Sequence, residues 1–166
     1  DGNGSQMGII YRDFAINSDA TSTAARAIVR STVKVSDTYT KILADLDFAE
    51  ANLAATNTGT GLSTYRATKA AAIALKMRVK LHMGDWAGVI AEGAKIVSGT
   101  APNFSSPIGG WKLTATPDGP FANNTSTESV FSIKNDATDN SGVNGALAQM
   151  MGDPALGARG LLRVSP

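Results

Sequence analysis

Between residues 65 and 97 the chain reads YRATKAAAIALKMRVKLHMGDWAGVIAEGAKIV, an alanine-rich apolar pattern with one sharp break at Gly84-Asp85-Trp86. This constrains the fold more than any other stretch, because periodicity and turn chemistry agree on the same answer. Thr68 is a good N-cap, its hydroxyl being able to accept from a backbone N–H one turn further on. From Lys69 to Met83 no Gly or Pro intervenes, and the alanines there lower the entropic cost of a helix. Ala70, Ile73, Ala74, Met77 and Leu81 fall at i, i+3, i+4, i+7 and i+11, one apolar stripe. Leu75 and Val79 widen it and predict a helix covered on more than one side. Gly84 stands where a left-handed C′ residue belongs, and Asp85 caps a second helix beginning at Trp86. In that helix Trp86, Val89, Ile90, Gly93, Ile96 and Val97 form the apolar face, and Gly99 is its stop.

A third helix precedes these two, with Thr32 or Ser36 as cap and Tyr39, Ile42, Leu43, Leu46, Ala49 and Leu53 as its apolar face. Lys41, Asp45, Asp47 and Glu50 read as its solvated side, with a weak Lys41–Asp45 pair at i, i+4. The turn-rich residues 56–64 link it to the next helix. Three helices of this length joined by short loops pack antiparallel. The reading is mainly α, with antiparallel helical hairpins, long irregular loops and a short extended segment.

The 166 residues suit one domain, with a helical core over about 32–98 and a loop-rich flank over 99–166. Residues 7–14 and 110–113 suggest short extended pieces, and 128–134 (ESVFSIK) suggests one more strongly. Residues 17–25 (NSDATSTAA) read as loop, and 146–151 as one or two helical turns. Pro102, Pro107, Pro117 and Pro120 forbid long helices after Gly99.

Net charge is +1 with scattered basic residues, too weak a footprint for nucleic acid or an anionic membrane surface. With no cysteine, disulfides and thiolate metal sites are excluded. No apolar run approaches the ~20 residues that span a bilayer. The chain opens at Asp1 without a signal-like segment, so an export signal is expected to be removed or to lie upstream.

No reacting constellation is legible. His82 is the single histidine, with Asp85 as its near carboxylate, and reads as a helix-surface residue. Asp136 and Asp139 sit in a polar loop with no apolar pocket to split their pKa values. No catalytic residue, metal ligand or cofactor is assigned. Trp86 reads as the aromatic that closes the helix turn and packs on the hairpin. Trp111 follows Gly109-Gly110 in a loop-rich stretch and has two readings. It either seals the helical layer beneath a long loop, or stacks on the apolar face of a sugar while Asn123 and Asn124 bond its hydroxyls.

Several of these stretches resemble the SusD/RagB family of cell-surface nutrient-binding lipoproteins of the Bacteroidetes. SDTYTKILADLDFAEANL is similar to that family's Tyr-x-x-Ile-x-x-Asp-Leu-x-x-Ala helix, here Tyr39, Ile42, Asp45, Leu46 and Ala49. The block carrying Arg66, Thr68, Lys69, Ala71, Ala72, Ala74, Leu75, Arg78, Val79, Leu81, Gly84, Asp85 and Trp86 is similar to its long alanine-rich motif. TESVFSIK and the Asn-Ser-Gly-Val-Asn of residues 140–144 are weaker matches downstream.

The resemblance implies tetratricopeptide-like helix pairs in a surface-exposed outer-membrane lipoprotein, anchored through a lipid outside this chain. It implies a non-enzymatic component that holds an oligosaccharide for a SusC-like TonB-dependent transporter. The chain would then be an internal piece of a longer protein. The rival reading is a helical-repeat module that binds another protein.

Overall fold

In the computed structural model the chain is mainly α-helical. The structure describes residues 4–29, 32–59, 61–98, 104–122, 125–134, 136, 138 and 150–161. The helices are α1 (Asp19–Ala27), α2 (Val35–Asn52), α3 (Leu62–Tyr65), α4 (Lys69–Met83), α5 (Trp86–Ile96) and α6 (Gly119–Ala122), followed by a 3-10 turn at Pro154–Leu156. Extended pairing among the described residues is confined to isolated antiparallel bridges, Met7 with Lys34, Ser98 with Ser105, and Ser105 with Lys112.

Local chemistry explains the central hairpin. The Thr68 hydroxyl, fully buried, accepts from the Ala71 N–H at 3.3 Å and starts α4. Gly84 ends it in the left-handed region (φ 75°, ψ 14°), its N–H donating to the carbonyls of Leu81 and Lys80. Asp85 then accepts from Gly88 N–H at 2.9 Å and starts α5. A two-residue connection leaves α5 no option but to return along α4, and residues earlier in α4 meet residues later in α5. Helix α2 packs on the other flank of α4, with the Lys69 N–H reaching the Ala54 carbonyl at 2.9 Å. The order is thus α2, α4, α5, with α4 central.

Several expectations are corrected here. Residues 17–25 do not form a loop throughout. Ser18 and Thr21 make a reciprocal capping box, and α1 follows from it. Neither Thr32 nor Ser36 caps α2. The helix begins after Lys34, whose backbone N–H donates to the Asp37 carboxylate at 3.3 Å. The 56–64 linker carries the short α3, begun as the Thr64 and Tyr65 N–H groups donate to Gly61 O. Residues 128–134 form no strand: Ser132 N–H donates to Thr64 O and Ser129 N–H to Ser126 O, with no ladder between them. Met150 and Met151 are helical, while 146–149, Gly99 and 140–144 lie outside the described residues.

Burial departs furthest from the stripe. Among the described residues the buried apolar side chains are Ala25, Ala70, Ala72, Ile73 and Trp111. Leu75 and Leu81 are about half exposed, so α4 is not covered where they point. Trp86 does not pack on the hairpin: it is 65% exposed. The cause is geometric. Trp86 is the first residue of α5, at the turn just past the end of α4.

Residues 4–11 run extended beside the start of α2, with Gly8 N–H to Val33 O at 2.8 Å and Val35 N–H to Gln6 O at 2.9 Å. Tyr11 fastens the far end. Its hydroxyl donates to Asp45 at 3.0 Å, and the Lys41 ammonium lies 4.4 Å over its ring. The hydrogen bond to Asp45 holds the phenol above its ordinary pKa. Lys41 and Asp45 therefore meet through Tyr11 rather than as the pair expected. A Cβ added at Gly8 would lie 2.5 Å from the Lys34 carbonyl oxygen and 2.7 Å from Thr38 Oγ1. Gly8→Ala is thus expected to push this segment off α2 and to lower stability by about 2 kcal/mol, the scale of overpacking. A urea midpoint equal to that of wild type would show the segment is not held there.

Candidate functional site

Two places in the molecule concentrate side chains in ways local periodicity does not explain. The first is an ion cluster where α2, α4 and α5 meet. Lys76 lies on the flank of the α4 stripe, beyond Ile73, and is 3% exposed, a burial that a lysine tolerates only with partners. Its ammonium donates to Asp47 at 2.5 Å and to Glu50, both on α2, and stands 3.5 Å from Glu92 on α5. Glu92 is 6% exposed and also faces Lys80 at 3.3 Å. Lys95 lies 2.9 Å from Glu50 and 2.7 Å from Glu92 Oε2, the latter an ion pair without hydrogen-bond alignment.

Three carboxylates thus face three ammonium groups, and Glu50, 21% exposed, is not the solvated residue expected. Asp47 stays 67% exposed, so its pairing with Lys76 is the weaker leg. Burial opposes the Lys76 charge but is outweighed by hydrogen bonds to Asp47 and Glu50 and by the field of Glu92, so its pKa stands above the ordinary value. Burial likewise opposes the charge of Glu50 and of Glu92. Hydrogen bonding to Lys76 and Lys95 overcomes it at Glu50, and Lys95, Lys76 and Lys80 overcome it at Glu92, leaving both carboxyls below their ordinary value. A cluster so evenly balanced offers no free acid, base or nucleophile. It clamps three helices.

The second place is an open groove of about 130 Å³ between the C-terminal end of α5 and the segments around 104–113 and 128–130. Ser98 and Ser105 exchange backbone hydrogen bonds, Ser106 N–H donates to Trp111 O, and Lys112 N–H donates to Thr127 O. These ties lay four short segments side by side. The turn over 107–110 is tightened by Ser106 Oγ, which donates to Ile108 O at 2.7 Å. Glu128 is held at the rim, its carboxylate accepting from the Thr114 N–H at 3.0 Å and the Thr114 hydroxyl at 2.7 Å. Those bonds lower the Glu128 pKa. Ile96, Val97, Phe104, Trp111, Leu113 and Val130 form the apolar lining, with Ser105, Ser106, Lys112 and Glu128 polar. Ligand pockets commonly span ~300–1,000 Å³. This groove accommodates part of a ligand, on the scale of one ring.

Of the residues singled out from sequence, Trp111 borders the groove but is only 9% exposed, so most of its ring surface is used in packing. The more accessible aromatic there is Phe104, 36% exposed, which sequence reasoning did not mark. Its signal was weak: a lone aromatic in a polar loop. Asn123, Asn124 and Asp139 lie outside the described residues. His82 is exposed. Asp136 accepts from the Thr138 N–H and hydroxyl and pairs with Lys134 at 2.7 Å. Among the described residues no group of His, Asp or Glu is arranged to hold a metal ion, and no helix is long and apolar enough to cross a membrane. No family model matches the chain, and no curated protein and no solved structure matches it either.

Proposed function

We propose that this chain is a non-enzymatic binding component of a SusC/SusD-type nutrient-uptake system, holding an oligosaccharide for a TonB-dependent outer-membrane transporter. The observation that carries the reading is the groove beside Trp111, with its apolar floor, accessible aromatic and polar rim set on a clamped helical frame. A pyranose ring has apolar C–H faces and a hydroxyl edge. Phe104 can take the first, and Lys112 and Glu128 the second. The mechanism is equilibrium capture: stacking and hydrogen bonds hold the ligand, and no bond is made or broken. In this reading α2, α4 and α5 are tetratricopeptide-like pairs whose rigidity sets the groove. The protein is an outer-membrane lipoprotein anchored through a segment beyond this chain.

Titration calorimetry with a panel of oligosaccharides tests the reading. Phe104→Ala deletes an exposed ring without opening the core and is expected to weaken binding about fivefold, the worth of one stacking contact near 1 kcal/mol. Silence across the panel from a folded protein would remove the glycan reading. The second reading, a helical-repeat module for protein partners, is favoured by one observation, the uncovered outer face of α5.

A further inference from the structure

Of the residues that line the groove beside Trp111, only Glu128 is acidic. Both bonds from Thr114 fall on its Oε2, leaving Oε1 with no hydrogen-bond partner among the described residues. Two bonds to one residue fix the head of a side chain that otherwise turns freely, so the charge is in place before anything binds. No cation neutralises it. Among the described residues the ion pairs lie at the junction of α2, α4 and α5, at Asp85 and at Asp136, and none includes Glu128. Lys112 lines the same groove, yet its ammonium joins none of those pairs either, and a flexible four-carbon stem in solvent fixes its charge far less. The groove thus presents one positioned negative charge beside an apolar floor.

We propose, on the footing of the glycan-binding function above, that the groove selects a sugar unit bearing a free amine, with Glu128 as the residue that determines this specificity. An ionised carboxylate only accepts hydrogen bonds, so Glu128 needs a donor from the ligand. A hexose hydroxyl supplies a neutral one. An ammonium on the ring edge turns the same contact into a charge-assisted bond, roughly twice as strong. A ring seated with its C–H face on Phe104 turns its edge towards the rim, so the amine needs no separate subsite. An N-acetyl group in that place keeps one N–H but loses the charge. A sugar carrying a carboxylate there meets repulsion from Glu128.

The groove holds about one ring, so single sugars test it. Glucosamine and galactosamine, each beside its parent hexose and its N-acetyl derivative, are titrated into the whole chain at neutral pH and followed by amide chemical shifts. The amines are expected to bind about tenfold more tightly than the hexoses, the difference between a charged and a neutral hydrogen bond. Glu128→Gln keeps the shape and an acceptor for Thr114 but removes the charge. It is expected to bring the amines down to the level of the hexoses while leaving hexose binding within about twofold and the circular dichroism unchanged. Phe104→Ala is expected to weaken amine and hexose in parallel, because stacking on the ring face does not depend on the amine. Equal binding of amines and hexoses, or an amine preference that survives Glu128→Gln, would overturn the assignment while leaving glycan binding intact. No shift with any of the sugars, together with silence across the oligosaccharide panel, would remove both.

Discussion

Replacing Lys76 with methionine is expected to lower the unfolding free energy by about 2–3 kcal/mol, chiefly through the carboxylates left behind. Methionine keeps an unbranched stem of similar reach, so the change deletes the ammonium with little loss of packing. Glu92, 7% exposed at its side chain, and Glu50, 21% exposed, would then face each other's field with less compensation. Breaking a buried pair from one side commonly costs ~3–5 kcal/mol. The lower figure applies here because Lys80 and Lys95 still reach Glu92, and Lys95 still reaches Glu50.

The triple variant Glu50→Gln/Lys76→Met/Glu92→Gln is expected to recover more than half of the loss, since no buried charge remains unpaired. Chemical denaturation of the three proteins checks both claims. A Lys76→Met midpoint equal to that of wild type would mean the cluster is solvated and does not clamp the helices.

That cluster also marks where the sequence stopped being informative. Thr68, Gly84 and Asp85 were legible because capping acts between residues three or four apart, and the structure places each in the role its chemistry suggests. Helix α1 was missed although Ser18 was visible. Its partner is Thr21 rather than the Glu or Gln of the usual capping box, and a Thr/Ser/Ala segment has little apolar periodicity. Lys76 pairs with residues 26 and 29 positions away, which no local window reaches.

Around the helix Lys76 falls outside the apolar stripe, on the flank beyond Ile73, so periodicity gave no sign that it is buried. Periodicity also names a face without saying whether anything covers it. Val89 and Ile90 are adjacent members of the same α5 pattern, yet Val89 is half-buried and Ile90 exposed. The groove was less legible still. It is assembled from irregular segments, and Phe104 carries no periodic or motif signal.

The same cluster sets the expected response to acid and base. Glu50 and Glu92 have folded-state pKa values below the ordinary 4.5, so the unfolded chain binds protons more readily than the folded one in that range. Their contribution is fully present above pH 4.5 and is lost as pH falls through the lower folded values. Lys76 and Lys95 are raised above 10.5, so their contribution is complete below that pH and is lost as pH climbs through the folded values.

Between those limits the cluster contributes a plateau, and the melting temperature is expected to begin falling only below about pH 4.5. The distinguishing measurement is a series of melts from about pH 3 to pH 7 on wild type and on the triple variant. Removing both titrating carboxylates and the ammonium should flatten the acid limb, leaving only the shallower loss from carboxylates elsewhere, such as Glu128 held by Thr114. Parallel acid limbs would locate the acid sensitivity outside the junction of α2, α4 and α5.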